Sequence, residues 1–150
     1  MAAEGYIMKL REIMTDTVIR IHPEESVEVA ARTLARCNSG MLAVCGGDGR
    51  LCGVVTDRDL VTRCIAAGRH PSSTPVRAVM TTQVVSARPD LDTVSAARLM
   101  GQQQVRRLPV LENGRLCGMV SLGDLAGREE TAQAATNALS GISSNISVRD

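Results

Sequence analysis

The sequence predicts an α/β (α+β) protein built from two copies of one β-α-β-β-α unit, each with a small three-stranded sheet. The chain repeats itself in register, since segment 10–15 (LREIMT) returns as 76–81 (VRAVMT) and 30–32 (AAR) returns as 96–98. Within each copy, short apolar or β-branched runs alternate with stretches of helical periodicity. One copy has too few elements to cover both faces of its sheet. We therefore expect the two copies to pack on each other about a pseudo-twofold axis.

The first repeat is expected to span 7–68. Pro23 ends the first β-branched run, and Ser26 is the expected N-cap of a helix that ends near Asn38. The strands on either side of this helix should be parallel, with a right-handed crossover, and the glycine-rich segment 46–49 should form a hairpin turn. In chain order the expected elements are a short helix at 7–14, a strand at 18–21, a helix at 26–38, strands at 41–45 and 51–55, and a helix at 57–68.

The second repeat is expected to span 76–139. It follows the Pro- and Ser-rich linker 69–75, and its shorter hairpin contains Asn113-Gly114, a strong turn signal. Its last helix is expected to run on past Asp124 toward Leu139, and the Ser- and Asn-rich stretch 140–150 is interpreted as a tail.

Composition excludes several classes of function. The net charge of +1 provides no field for nucleic acid or an acidic membrane, and the single aromatic residue, Tyr6, excludes the stacking platforms of single-strand binders. No apolar run approaches the ~18 residues that a membrane span needs. The five cysteines are odd in number and form no CxxC pair, and neither histidine lies near one of them. We therefore expect no metal site and a reducing, cytoplasmic compartment.

Each repeat contains a strand that ends in a hydroxyl, with a carboxylate three residues further on. These residues are Thr56 and Asp59 in the first copy (GVVTDRD) and Ser121 and Asp124 in the second (GMVSLGD). At a strand-to-helix junction the hydroxyl lies beside unpaired backbone N–H groups that suit an anion, and the carboxylate can accept hydrogen bonds from a diol such as a ribose. The alternative is that these residues only cap helices and offset the helix dipole.

No arrangement in the sequence is typical of an enzyme. There is no Ser/His/Asp or Cys/His pattern, and the glycine-rich segment 46–49 joins two strands instead of preceding a helix, as a phosphate loop would. We therefore expect no catalytic residues.

With both repeats laid out, the chain resembles a tandem pair of CBS domains, the regulatory module known as a Bateman module, over roughly 7–128. The resemblance is carried by the Met-Thr pair after each short helix, by the segment 108–110 (LPV), and by the two Gly-x-x-Thr/Ser-x-x-Asp segments in register. It implies clefts between the repeats that bind adenosine-containing ligands, namely AMP, ADP, ATP, NAD or S-adenosylmethionine. It also implies a homodimer, which is favoured by the exposed apolar faces expected of the helices near Leu60 and Leu125.

The resemblance also assigns candidate ligand-binding residues by position. Asp124 would hold the ribose hydroxyls and Ser121 would lie near the ribose or phosphate, with Asp59 and Thr56 equivalent in the second cleft. Arg106 and Arg107 would contact phosphates, because guanidinium groups match phosphate oxygens; a solvated charge pair is the alternative. The remaining candidates are Val18 and Val84 beside the base, Gly40 and Met41, which match the two arginines by position and could line the cleft closed by Asp124, and Pro109 in the second strand.

Two functions remain open. The first is a sensor that binds an adenosyl ligand, with the better cleft closed by Asp124, and that changes the activity of an unknown protein target. The second is a structural or interaction module that dimerises without ligand affinity. The second is favoured by Gly40 and Met41 in place of basic residues, and by Leu122-Gly123 in place of the polar Asp57-Arg58.

Overall fold

A computed structural model describes residues 7–127 and 132–149, with side chains described as far as Ile142. The elements are β1 (Arg20–Ile21), α1 (Val27–Cys37), β2 (Met41–Cys45), β3 (Leu51–Thr56), α2 (Asp57–Asp59), α3 (Thr93–Gln103), β4 (Arg107–Glu112), β5 (Arg115–Ser121), α4 (Leu122–Ala126) and α5 (Ala132–Arg149). Helix α2 continues as a π-helix over Leu60–Ile65. Single 3-10 turns at Leu10–Glu12 and Val76–Ala78 open the two repeats, so the helix predicted at 7–14 is reduced to one short turn. Within these described residues, no helix combines the length and apolarity needed to cross a membrane.

The first helix of each repeat begins at a side-chain cap. The hydroxyl of Ser26 accepts a hydrogen bond from the N–H of Val29 at 3.1 Å, and α1 ends before Asn38, both as predicted. Asn38 itself adopts the left-handed conformation. In α3 the cap is Asp92, whose carboxylate accepts from the N–H of Ser95 at 2.8 Å. This backbone N–H and the Ser95 hydroxyl hold the pKa of Asp92 below its ordinary value. Local sequence signals therefore determine both helices.

The two sheets differ by one strand. β1 pairs with β2 in parallel and β2 with β3 antiparallel, which confirms the predicted topology of repeat 1. In repeat 2 only β4 and β5 form a sheet, and the predicted first strand is reduced to a parallel bridge between Ala87 and Val110. The N–H of Ala87 donates to the carbonyl of Pro109 at 3.0 Å. Because Pro109 has no N–H to donate, the ladder cannot extend toward Val85, and the expected third strand is missing.

The chain folds as two compact units with separate cores. The repeat-1 unit is Val18–Val84 with Gly114–Leu116; the repeat-2 unit comprises the described residues of Met1–Thr17, Val85–Asn113 and Cys117–Asp150. Each unit thus contains the first segment of the other repeat, which we call its leading segment. The leading segment of repeat 1 (7–17) belongs to the repeat-2 unit, and that of repeat 2 (76–84) belongs to the repeat-1 unit. Fully buried Leu10 belongs to the repeat-2 core, and fully buried Val76 belongs to the repeat-1 core. The predicted boundaries, 7–68 and 76–139, follow the sequence repetition, whereas the cores exchange the leading segments.

The C-terminal part departs from the prediction. Helix α4 ends at Ala126, and the N–H of Gly127 closes its last turn on the carbonyl of Gly123 at 3.1 Å. Residues 128–131, through which one long helix was predicted to run, lie outside the described residues. A separate helix, α5, follows, and the stretch predicted as a tail from 140 is helical up to Arg149.

Candidate functional site

A glycine in each repeated motif permits a close backbone approach. A Cβ atom at Gly53 would lie 2.5 Å from the carbonyl oxygen of Thr81. Without that atom, Thr81 pairs with Val54 through two backbone hydrogen bonds of 2.8 and 2.9 Å. In repeat 2, Thr15 pairs with Met119 through two backbone hydrogen bonds of 2.9 Å, and a Cβ at Gly118 would overlap the side chain of Met14. The glycine of the motif and the Met-Thr pair of the leading segment are therefore parts of one structural feature.

The hydroxyl and carboxylate of each motif bind each other's backbone. The hydroxyls of Thr56 and Ser121 accept from the N–H groups of Asp59 and Asp124, both at 3.1 Å. In return, one oxygen of each carboxylate accepts from the N–H of Thr56 at 3.0 Å and of Ser121 at 2.9 Å. Both corners are reciprocal capping boxes. The capping alternative is thus realised in both repeats, with the second carboxylate oxygen outside the cap.

The surroundings of the two carboxylates differ. Asp59 is buried; the hydroxyl of Thr81 lies 3.2 Å from both of its carboxylate oxygens, and the Nε of Arg63 lies 3.9 Å from Oδ1. Asp124 is exposed, and its hydrogen bonds within the described residues are the two of the cap. Thr15 matches Thr81 in sequence, but its hydrogen bonds within the described residues are the two backbone bonds to Met119. The protein itself satisfies Asp59, whereas Asp124 faces solvent.

A cavity of about 410 Å³ lies beside the second corner, within the repeat-2 unit. It brings together three predicted residues: Ser121 and the two arginines 106 and 107, which we call the arginine pair. The carbonyl of Arg106 accepts from the N–H of Leu122 at 2.7 Å, which fixes the start of β4 beside the start of α4. Asp124 lies further along α4 and does not line the cavity. The complete lining is Arg106, Arg107, Ser121, Leu122, Gly123, Ala126, Ala135, Thr136 and Leu139.

The charge in this cavity is positive. Both guanidinium groups belong to exposed residues, and within the described part of the chain neither has an ion-pair partner. The wall formed by α5 carries no charged residue between positions 132 and 142. The hydroxyls of Ser121 and Thr136 are the other polar groups of the lining. The cavity therefore offers donors to an anion and aliphatic surface to an apolar group.

The other predicted ligand residues lie elsewhere. Val18, Gly40, Met41 and Val84 all belong to the repeat-1 unit, where each is half-buried. Pro109 is buried within β4. That these residues take part in clefts between the repeats, two of them beside Asp124, stays a prediction.

Sequence reasoning missed the residues that reach the motif from a distance. Thr81 bonds Asp59 across 22 positions, and its only signal is the repeated Met-Thr pair. Arg63 lies four residues after Asp59 on one helix, a spacing that does predict contact. The cavity also has three lining residues on α5 that the sequence analysis missed, Ala135, Thr136 and Leu139. They were missed because the helix after Ser121 was predicted to run on as one continuous helix, and not to be followed by a helix that packs on α3 and α4.

Among the described residues, the hydroxyl of Ser72 lies 2.8 Å from Nδ1 of His70, but this is a contact two residues apart in the exposed linker. The described residues contain no group of three or more His, Cys, Asp or Glu side chains that could hold a metal ion. What they contain is a repeated unit with a capped strand-to-helix corner, beside a basic cavity in one copy. This defines a tandem-repeat module.

The family of this module follows from comparison with known proteins. The CBS-domain family model matches residues 10–65 and 76–129. The chain therefore belongs to the CBS-domain family and carries two CBS domains in tandem, as the resemblance implied. Proteins of this family are generally regulatory and ligand-binding.

Two relatives and one solved structure illustrate the similarity. CBS domain-containing protein YhcV of Bacillus subtilis is 38% identical over 134 residues, covering 89% of this chain and 94% of the relative. Hypoxic response protein 1 of Mycobacterium tuberculosis is 32% identical over 116 residues, covering 77% and 81%. The crystal structure of Hypoxic Response Protein I with two coordinated zinc ions has a TM-score of 0.74 at 30% identity, covering 81% of this chain and 98% of that one.

Proposed function

We propose that this protein is a regulatory sensor, not an enzyme, and that it binds an adenosine-containing ligand such as AMP, ADP, ATP, NAD or S-adenosylmethionine. The observation that carries the proposal is that the arginine pair and Ser121 line one cavity of about 410 Å³. A regulatory role agrees with the general character of the CBS-domain family. Binding would shift the protein between conformations and so change the activity of a protein target.

The arginine pair would bind the phosphates of such a ligand. Two adjacent guanidinium groups repel each other, and an anion between them relieves this repulsion. Their forked N–H donors match the geometry of phosphate oxygens, and the Ser121 hydroxyl adds a third donor. The apolar lining, which includes Leu122 and Leu139, suits an adenine ring in a protein whose single aromatic residue is Tyr6.

Asp124 would accept hydrogen bonds from the ribose diol. Its Oδ2 is engaged by the N–H of Ser121, while Oδ1 takes no part in the cap. The equivalent carboxylate of Asp59 is buried and already accepts from the Thr81 hydroxyl. A ligand at Asp59 would first have to displace that bond. The repeat-2 corner is therefore the stronger site in this proposal, and the corner at Asp59 is weaker or differently selective.

Isothermal titration calorimetry with AMP, ATP, NAD and S-adenosylmethionine tests the proposal, with unphosphorylated adenosine as a comparison. We expect the double substitution Arg106→Gln/Arg107→Gln to weaken ATP binding about 100-fold or more, since each lost charge-assisted hydrogen bond contributes ~1.5–3 kcal/mol. Asp124→Asn keeps the cap acceptor but removes the charge, and should weaken ATP and adenosine alike by about tenfold. Arg58→Gln and Asp57→Asn, exposed at the matching corner of repeat 1, are the controls. Absence of binding by every compound to the wild-type protein would refute the ligand hypothesis.

The second candidate function is an interaction module without ligand affinity. One observation favours it: the hydroxyl and carboxylate of each motif already form a complete helix cap with the protein's own backbone. Under this hypothesis, adding a nucleotide changes neither partner binding nor thermal stability in the wild type. The same holds for Asp124→Asn and for the double arginine variant. A thermal shift caused by ATP in the wild-type protein and lost in the arginine double variant would exclude it.

The proposal includes a homodimer in the cytoplasm. The sequence predicted exposed apolar faces near Leu60 and Leu125, but both side chains are buried, and Leu125 belongs to the core on which α5 packs. Beside Leu60, however, Val61 and Ile65 are both 58% exposed. We expect this surface to form the contact between two copies. Light scattering after gel filtration should give a dimer for the wild type and a monomer for Val61→Asp/Ile65→Asp.

Ile19→Asp, at another exposed apolar residue, is the control for that experiment and should leave the dimer intact. A wild-type monomer at ~100 µM, or an unaffected double variant, would contradict the assignment of this surface.

A further inference from the structure

The helix α5 follows the second region matched by the CBS-domain family model, which ends at residue 129. It packs on α3 and α4 within the repeat-2 unit and contributes the buried side chains Ala135, Ala138 and Ile142 to the core. The contact with α3 is close because of Gly101. A Cβ atom there would lie 2.9 Å from the Cα and 3.1 Å from the Cβ of Ala138.

In repeat 1, the face of α1 that corresponds to the α5-covered face of α3 is open. Ala97 on α3 is fully buried, whereas its counterpart Ala31 on α1 is exposed. The counterpart of Gly101 is Ala35, whose Cβ would prevent an equally close helix. A cavity of about 420 Å³ lies in this uncovered groove of the repeat-1 unit. The covering helix and the arginine pair therefore occur in the same repeat, and both are absent from the described residues of the other.

A second face of α5 lines the candidate ligand cavity. While Ala135 and Ala138 pack inward, Thr136 and Leu139 are exposed and spaced three residues apart, so they lie on one side of the helix. They line the same cavity as the arginine pair and Ser121, which come from the starts of β4 and α4. The cavity thus has its full set of walls only while α5 is docked on α3 and α4.

We propose that α5 is the closing wall of the ligand site and that its docking is the conformational signal of this protein. A phosphorylated adenosyl ligand held between the arginine pair and Thr136 and Leu139 stabilises docked α5. By reciprocity, docked α5 raises the affinity for that ligand to the same extent. This inference rests on the proposed function, and it adds which element of the protein responds to the ligand.

The test uses two glycine substitutions on opposite sides of the same helix contact. Gly101→Ala introduces the 2.9 Å conflict with the backbone of Ala138, but it favours α3 itself because alanine is the better helix former. Gly141→Ala on α5 is the matched control, since its Cβ would meet the Gly101 carbonyl oxygen at an ordinary 3.8 Å. Neither residue lines the ligand cavity. A third variant, Leu139→Ala, shortens an exposed wall residue without disturbing the core.

Hydrogen–deuterium exchange of the full chain, with and without ATP and AMP, reports the docking of α5 through peptides covering 132–142. We expect ATP or AMP to slow exchange there in the wild type and in Gly141→Ala. Gly101→Ala should exchange faster and bind ATP at least about fivefold more weakly, and Leu139→Ala should bind about threefold more weakly without faster exchange. Calorimetry measures the affinities.

The outcomes separate this inference from the proposed function. Unchanged ATP and AMP affinity in both Gly101→Ala and Leu139→Ala would overturn the role of α5 while leaving the ligand site intact. That role is equally refuted if the wild type binds ATP and exchange over 132–142 does not change. If the wild type binds neither nucleotide, the proposed function fails and this inference fails with it. The difference in hydrogen–deuterium exchange between Gly101→Ala and Gly141→Ala would still report the α3–α5 contact.

Discussion

Thr81→Val is predicted to destabilise the protein because it removes the hydroxyl that donates to buried Asp59. The substitution preserves the shape of the side chain, so the change in unfolding free energy reports mainly the hydrogen bond. That hydroxyl lies 3.2 Å from both carboxylate oxygens and can donate to only one of them at a time. A hydrogen bond to a charged group contributes ~1.5–3 kcal/mol. The strongest hydrogen bonds to carboxylates are shorter than this one, so its contribution should lie at the lower end of that range. We therefore expect a loss of ~1.5 kcal/mol.

The internal repeat provides the control for this prediction. Thr15 occupies the matching position, but it is exposed and its side chain does not reach Asp124 within the described residues. Thr15→Val should change the unfolding free energy by less than ~0.5 kcal/mol. Urea denaturation followed by circular dichroism is the assay, because the chain has no Trp whose fluorescence could be followed. Equal effects of the two substitutions would refute the conclusion that the two carboxylates have different environments.

Three further outcomes are expected. The N–H and hydroxyl of Ser95 lower the pKa of Asp92, so its charged cap contributes stability above about pH 4 that is lost as the pH falls through the lowered pKa. The wild type should therefore melt at a higher temperature than Asp92→Asn at neutral pH, and the two melts should converge at low pH. If the arginine pair contacts phosphates, calorimetry should show ATP affinity falling with ionic strength while adenosine affinity hardly changes; equal responses would remove the pair from the site. Burial raises the pKa of the Cys45 thiol, so mass spectrometry after iodoacetamide should find exposed Cys52 alkylated well before Cys45 in the folded protein.

The elements that could be predicted from the sequence are those determined by local interactions. The bounds of α1 follow from the Ser26 cap and the left-handed Asn38, both within one turn of the helix ends. The hairpin at Asn113-Gly114 is equally local, since both residues adopt the positive φ that this dipeptide permits, 55° and 79°. The repetition of the chain then extended these assignments from one copy to the other.

The features that could not be predicted depend on distant partners. The loss of a strand in repeat 2 follows from one missing N–H at Pro109, but only once the parallel register with Ala87 is known. The pairing of the leading segments is encoded at Gly53 and Gly118, which as single glycines predict only a close approach of some kind. For the candidate site, the sequence identified Ser121 and the arginine pair, which share a cavity. It did not identify the cavity wall formed by α5, because no local sequence signal shows that this helix packs on α3 and α4.

The two copies of the motif show that local chemistry alone does not rank candidate ligand sites. The first copy has the more polar helix start, with Asp57 and Arg58, and by composition would be the better anion or diol site. Yet its carboxylate is buried and already bonded to Thr81. In the second copy less polar residues follow the hydroxyl, but Asp124 is exposed, and the adjoining cavity holds two guanidinium groups without ion-pair partners among the described residues. A carboxylate that already has an internal donor contributes stability, and one that faces solvent is available to a ligand. The less polar residues that repeat 2 has in place of Asp57 and Arg58 are therefore no argument against ligand binding at the second corner.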